Sequence, residues 1–322
     1  LITKTQVEAV DSNQQQVKNL GRLEKLPNAI LNEIQQYGPN LKFLSKEMYK
    51  KISQNPTLNK FLECVAFGKQ DTAEKLFVDV FLYDSAKIQE ALVYQGEFTD
   101  YSGRTFNCSA YEYAYWAKDT HMCRMLESYM DEDTKAIILA RIDANEEVGL
   151  SYQQHGQMHQ SAHFDMTPLI EVLQAYVTGY SAWNTVQDWE AMDAAWLAVG
   201  MAQRDVPAHV AQEYCRPDRS FYPCPDFNEA SFPRNLNFYC FERPGGRWFP
   251  LHRNGGLGFD FSVAGVRRRA LRGSWWLARC ANAWASHVDL AAIIRLDAVR
   301  TAQLTQSREY LQLPAASHRL SS

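Results

Sequence analysis

Thr99-Asp100-Tyr101-Ser102-Gly103-Arg104-Thr105-Phe106 opens the second of two helix–turn–helix patterns that together fill residues 58–130. Gly103 suits a turn because it lacks a Cβ and tolerates positive φ. Ser109 supplies a hydroxyl to cap the helix that follows. Ala110, Ala114 and Ala117 put small residues along one face of that helix, so a neighbouring helix can approach closely. Met122, Met125 and Leu126 mark the inner face of its partner. The first pattern runs from Phe61 to Phe77, with Leu62, Val65 and Ala66 on one face, a break at Gly68, and Ala73 and Leu76 resuming the stripe. Stacked helix pairs of this type bury one face on each other and present the rest to another protein.

Working outward, residues 1–25 form a polar, flexible lead-in around Gln14-Gln15-Gln16. Residues 26–56 read as a helical cap: Pro27 suits a first helical position, and Ile30, Leu31 and Ile34 form a stripe that ends at Gly38-Pro39. Leu41, Leu44, Met48 and Ile52 form a second stripe that closes at Asn55-Pro56. Residues 57–148 carry the helical repeats, with residues 78–96 read as apolar helix around Phe81, Leu82, Ile88 and Leu92. The charged stretch from Asp131 to Glu147 keeps Ile137, Ile138 and Ile142 on a helical face. Residues 149–322 form a C-terminal lobe. After a polar segment (149–164), helices are expected over Met166–Val177 behind Asp165, over Trp189–Met201, and from Pro207 to near Tyr214. Residues 215–235 hold Pro217, Pro223, Pro225 and Pro233, too many for regular structure. Pro244-Gly245-Gly246 turns a hairpin near 236–263, with a third strand at Phe259–Val263. Helices over Trp275–Trp284 and Asp289–Leu311 end the lobe. The fold class is therefore mainly α: a helical-repeat N-terminal half plus a helix-rich α+β C-terminal lobe with a small antiparallel hairpin.

Composition bounds the function. With 46% hydrophobic and 22% charged residues, the 322-residue chain can bury roughly two domain cores and is no disordered tail. A formal net charge of −4 argues against a whole-surface nucleic-acid footprint, which would be basic. Seven cysteines without tight pairing read as reduced thiols and hence a cytoplasmic setting. No run reaches the ~18 apolar residues of a spanning helix. A start at Leu1 rather than Met reads as a fragment, which limits every targeting argument.

Asp100-x-x-Gly103-x-Thr105, then Ser109-Ala110-Tyr111-Glu112-Tyr113-Ala114 and Asp119-Thr120-His121-Met122, resemble an ankyrin repeat. They correspond to its opening β-turn, its Thr-Pro-Leu-His-x-Ala helix start and its inter-helix turn. About four residues near Asn107 are inserted, and the resemblance covers only residues 58–130; a generic helical hairpin array is the other reading. Leu26-Pro27, Ile30, Leu31 and Leu44-Ser45-Lys46-Glu47-Met48-Tyr49 resemble a shortened F-box, against the alternative of a plain terminal cap. The combined layout is similar to ankyrin-bearing effectors that intracellular bacteria deliver by type IV secretion. That resemblance implies a protein partner in a eukaryotic host cytosol, a Skp1-type adaptor docking at Leu26, Pro27, Ile30 and Leu31, and no cofactor. The partner-binding residues would be Tyr101, Arg104 and Phe106 on an exposed turn, with Trp116 and His121 on adjacent helix faces.

Other constellations compete with that reading. Cys215 or Cys224 with His252 and Asp260 could form a thiol-dependent hydrolase or transferase site within residues 215–260. The alternation of Arg216, Asp218, Arg219, Asp226 and Glu229 fits a buried ion-pair network instead. His155-x3-His159-x3-His163-x-Asp165 would align three imidazoles for a metal on a helix, but Gly156 favours a solvated linker. Arg267-Arg268-Arg269-x-x-Arg272 beside Trp275-Trp276 could meet phosphate, yet also fits a solvated helix start.

Overall fold

Ser109 is the single residue between a strand that ends at Cys108 and a helix that starts at Ala110. Its hydroxyl accepts from the Glu112 amide at 3.4 Å while the Glu112 carboxylate accepts from the Ser109 amide at 2.9 Å, so two otherwise orphaned donors are satisfied reciprocally. The computed structural model describes residues 55–240, 246–250 and 282–313. The chain divides into two units, Leu1–Asn59 and Lys60–Ser322. Of the first, only its last residues are described: the Asn55 side-chain oxygen accepts from the amides of Thr57 (3.0 Å) and Leu58 (3.4 Å) and so caps helix α1 (Pro56–Ala66). The helical cap expected over residues 26–56 lies outside the described residues, its last two positions apart.

The second unit continues with α2 (Gln70–Asp79) and α3 (Ser85–Val93), then strands β1 (Gly96–Thr99) and β2 (Thr105–Cys108). Helices α4 (Ala110–Trp116), α5 (Thr120–Glu127) and α6 (Glu132–Val148) follow, then β3 (Leu150–Gln154) and β4 (Gln157–Ser161). Aspartates mark three helix starts: the carboxylates of Asp84, Asp119 and Asp131 accept from amides in the first turns of α3, α5 and α6.

The four strands form one antiparallel sheet in the order β1-β2-β3-β4. Gly96 pairs with Cys108, Phe106 with Tyr152 and Leu150 with Ser161. This sheet corrects the expectation of a purely helical residue 57–148 segment and of a polar linker at 149–164. Its β3–β4 turn is His155-Gly156, with φ of 51° and 76°, the two positive values that a tight hairpin whose twist matches its strands requires. On the inner face Phe106 meets Trp116 (4.9 Å between ring centroids), Tyr113 (5.1 Å) and Tyr152 (5.2 Å), and Phe98 stacks on it at 5.8 Å. This aromatic core joins the sheet to α4.

The remaining helices among the described residues are α7 (Thr167–Val186), α8 (Trp189–Arg204), α9 (Ala208–Tyr214) and α10 (Asn282–Gln312). The Asp165 carboxylate accepts from the Thr167 amide at 2.8 Å, so α7 begins where its cap was expected but runs on to Val186. Tyr176 of α7 meets Trp196 of α8 at 4.9 Å. Helix α10 packs on α5, α6 and α7. The expected hairpin is present as β5 (Asn237–Cys240) paired with β6 (Gly246–Pro250); the third strand at Phe259–Val263 lies outside the described residues. No helix among the described residues is long and apolar enough to cross a membrane.

Candidate functional site

The turn expected at the surface is inside the protein. Asp100 is fully buried, and its carboxylate accepts from the amides of Ser102 (3.0 Å) and Arg104 (2.8 Å) and from the Tyr113 hydroxyl (3.2 Å). A polar turn with an internal acceptor for its own donors carries little desolvation penalty and can pack inward. Arg104 follows it in. Its guanidinium pairs with Asp100 at 3.3 Å, bonds to Ser102 and to the Asp205 carbonyl, and lies 5.1–5.8 Å from the ring centroids of Phe164, Trp116 and Tyr152. Tyr101, Arg104, Phe106, Trp116 and His121 are all between 1% and 5% exposed. The expectation that they line a free surface is therefore corrected: they build the core and its seams.

His121 leads to the second feature, a buried charge network beneath the proline-rich segment. Its Nε2 lies 2.8 Å from the Glu229 carbonyl and its ring 5.3 Å from Phe232. Arg234, from the end of that segment, grips Asp119 with both terminal nitrogens (2.7 and 2.9 Å) and donates to the side-chain oxygens of Gln70 (2.7 Å) and Gln212 (3.1 Å). Deeper still, Glu213 receives Arg219 at 2.6 Å and Arg300 at 3.0 Å. Arg216 binds Asp218 with two nitrogens, and Arg219 binds Glu229 at 2.8 Å. The ion-pair reading of residues 215–235 thus holds, with Asp119, Arg300 and Glu213 as partners that local sequence did not identify. Asp218 and Asp226 of the expected set are exposed, Asp226 in a pair with Arg295 at 3.5 Å.

Burial opposes charge on Asp119, but Arg234 and His209 beside it outweigh burial and hold its carboxyl well below the usual range. His209 is 2% exposed, and neither ring nitrogen has a hydrogen-bond partner among the described residues. Burial, reinforced by Arg300 and Arg234, pushes it down to about 3 against the pull of Asp119. Burial with Arg300 brings His121 down to about 4. Both imidazoles are neutral near pH 7, and the network's cations are its arginines.

The thiol set is not brought together among the described residues. Cys215 is buried, and burial pushes its thiol up to about 12, so at neutral pH it is not a thiolate nucleophile. Cys224 is exposed, and His252 and Asp260 lie outside the described residues. Cys64, Cys108 and Cys123 are buried free thiols. Two of the three spaced histidines fall on the β3–β4 hairpin and the third just past it, rather than all on one helix face. His155 sits in its turn, His159 stacks on Tyr152 (5.3 Å), and His163 meets Glu146 at 3.1 Å. The adaptor-docking residues Leu26, Pro27, Ile30 and Leu31 and the Arg267–Arg272 run also lie outside the described residues.

What the surface does offer is the turn between α2 and α3. Leu82 and Tyr83 adopt consecutive left-handed conformations (φ 53° and 55°) and are 73% and 65% exposed. Buried Phe81 anchors the turn, and the Tyr83 amide donates to the Phe77 carbonyl at 3.0 Å. Neither left-handed backbone nor exposed large apolar side chains favour folding here. The signal lay in Phe81-Leu82-Tyr83, but helical spacing made it read as core.

These features describe a helix-rich protein with a small antiparallel sheet, in which buried ion pairs join distant segments. The family described as the CBUA0006 C-terminal domain matches residues 168–311. The uncharacterized protein CBUA0006 of Coxiella burnetii (strain RSA 493 / Nine Mile phase I) is 37% identical over 299 residues, covering 84% of this chain and 82% of that protein. The chain belongs to the CBUA0006 family. No solved structure matches it.

Proposed function

We propose that the protein is a recognition module of the effector type, which binds a partner protein through its helical N-terminal half. The observation that carries this reading is the α2–α3 turn, where Leu82 and Tyr83 project into solvent from left-handed backbone. Such a turn costs stability of order 1–3 kcal/mol per strained residue, and burial of the two side chains against a partner would offset it. Helices α4 and α5 follow the β1–β2 hairpin directly, an order that supports the helix-pair resemblance noted in the sequence, although the hairpin's own turn is buried. A host protein as partner, and a Skp1-type adaptor at Leu26 and Pro27, follow from the family resemblances noted in the sequence.

The test is affinity capture with the full chain from a eukaryotic lysate, repeated with Leu82→Asp and Tyr83→Asp together. One partner enriched by the native chain and lost with the double variant, at unchanged melting temperature, supports the reading. Failure to enrich any partner, or capture that survives both substitutions, overturns it. The adaptor branch stands separately: purified Skp1-type adaptor should co-elute with the native chain and not with Leu26→Asp, and it falls if no co-elution occurs.

A further inference from the structure

A cleft of about 350 Å³ lies between α5 and α10, with Arg124, Glu127 and Ser128 on one side and Gln303, Ser307 and Tyr310 on the other. That volume is within the range of small-ligand sites. The donors and acceptors around it are not balanced. Arg216, Arg219, Arg234, Arg300 and Arg308 are all engaged with carboxylates, whereas Arg124 is exposed and forms no salt bridge with any described residue.

Gln303 is fixed as a second donor. Its side-chain oxygen accepts from the Thr120 hydroxyl at 2.6 Å and from Arg300 at 2.9 Å. Two donors on that oxygen settle which end of the amide is which and leave Nε2 as the group without a partner among the described residues. Three acceptors at the cleft are engaged by protein donors. The Glu127 carboxylate takes the Tyr111 hydroxyl at 2.7 Å, the Glu127 carbonyl takes the Tyr310 hydroxyl at 3.2 Å, and the Met125 carbonyl takes the Ser128 hydroxyl at 2.7 Å. Gln306 at the rim adds another amide.

We propose that this cleft binds a small anion, a carboxylate or a phosphate monoester, with Arg124 supplying the charge and the Gln303 amide a preorganised hydrogen bond. A guanidinium matches either oxyanion through paired N–H donors. A donor already held by Thr120 and Arg300 loses little freedom on binding. The site is independent of protein recognition through the α2–α3 turn, which lies on other helices.

The full chain is titrated calorimetrically with inorganic phosphate and, separately, with succinate at constant ionic strength. The variants are Arg124→Gln, at an exposed position, and Gln303→Glu, which keeps the acceptor for Thr120 and Arg300 while removing the donor. Saturable binding of at least one anion, weakened tenfold or more by both variants, is the expected result. Binding of phosphate alone assigns a phosphorylated ligand, and of succinate alone a carboxylate. Lack of saturable binding by either anion, or equal affinity in the native chain and both variants, overturns the proposal.

Discussion

Replacing Arg234 by methionine should destabilise the protein by about 3–5 kcal/mol, because it strips a buried carboxylate of its counter-charge while leaving the carboxylate in place. The structure sets that magnitude. The side chains of Arg234 and Asp119 are 5% and 7% exposed, so water cannot replace the lost partner. The two bonds between them measure 2.7 and 2.9 Å, and each charge-assisted bond of this type is worth ~1.5–3 kcal/mol net. The substitution also leaves the Gln70 and Gln212 oxygens without this donor. Methionine keeps most of the apolar stem, so cavity formation adds little.

Equilibrium unfolding in urea, followed by tryptophan fluorescence, reads this as a fall in midpoint of roughly 1–2 M. A double-mutant cycle with Asp119→Asn isolates the pair, since asparagine retains the α5 cap that Asp119 provides to the Met122 amide. The coupling should exceed about 2 kcal/mol. The pH dependence gives an independent reading. With its pKa held below the ordinary 3.8, Asp119 contributes stability that is present above pH 3.8 and is lost as the carboxylate protonates. The deficit of Arg234→Met should therefore shrink below about pH 4. A cost under about 1 kcal/mol, or single effects that add to within ~0.5 kcal/mol, would refute the network as a structural clamp.

His209→Leu should flatten the acid limb of the stability curve. The unfolded chain binds a proton below pH 6.5 that folded His209 refuses until about 3, so native stability falls with pH by up to ~1.4 kcal/mol per unit; the variant should be about 2 kcal/mol less acid-sensitive at pH 5, and an unchanged slope would count against it. Two glycines at positive φ should respond differently to alanine. At Gly103 a Cβ meets open space and only backbone strain of about 1 kcal/mol is expected, whereas at Gly149 it would press on the Ser161 backbone at 3.0 Å and cost about 2–3 kcal/mol. Equal melting temperatures for the two alanine variants would contradict the packing described at the β3–β4 hairpin.

Helices whose ends carry chemistry were readable in the sequence. Asp165 and Pro207 announce α7 and α9, and the Pro-Gly-Gly turn announces the β5–β6 pair. The four-stranded sheet was not, because strands of four and five residues offer too few positions for a period of two to stand out from polar loop. His155-Gly156 was the local clue, and its hairpin meaning was masked by the surrounding glutamines and histidines. The buried turn at Asp100–Arg104 was misread for a physical reason: its polar composition matches an exposed loop, and only the fold supplies Tyr113 and the aromatic wall that receive Asp100 and Arg104. The charge alternation in residues 216–229 pointed correctly to an ion network. Its strongest pairs were invisible, since Asp119 and Arg234, or Glu213 and Arg300, are far apart in the chain and meet only after folding.

Those long-range pairs bear on how the family's C-terminal domain should be understood. Its matched stretch ends in α10, and that helix reaches back to the N-terminal half through Lys118–Asp297 (2.7 Å), Thr120–Gln303 (2.6 Å) and Arg308–Asp143 (2.7 Å). The segment before it does the same through Arg234 to Asp119 and Gln70. Asp119 caps α5 and Thr120 is its first residue. A charge buried between two segments ties their stabilities together, because separation of either leaves an uncompensated ion. Residues 168–311 are therefore not an appended module: their arginines and Asp297 pair with carboxylates and Lys118 of the preceding segment, so the two segments share one electrostatic framework.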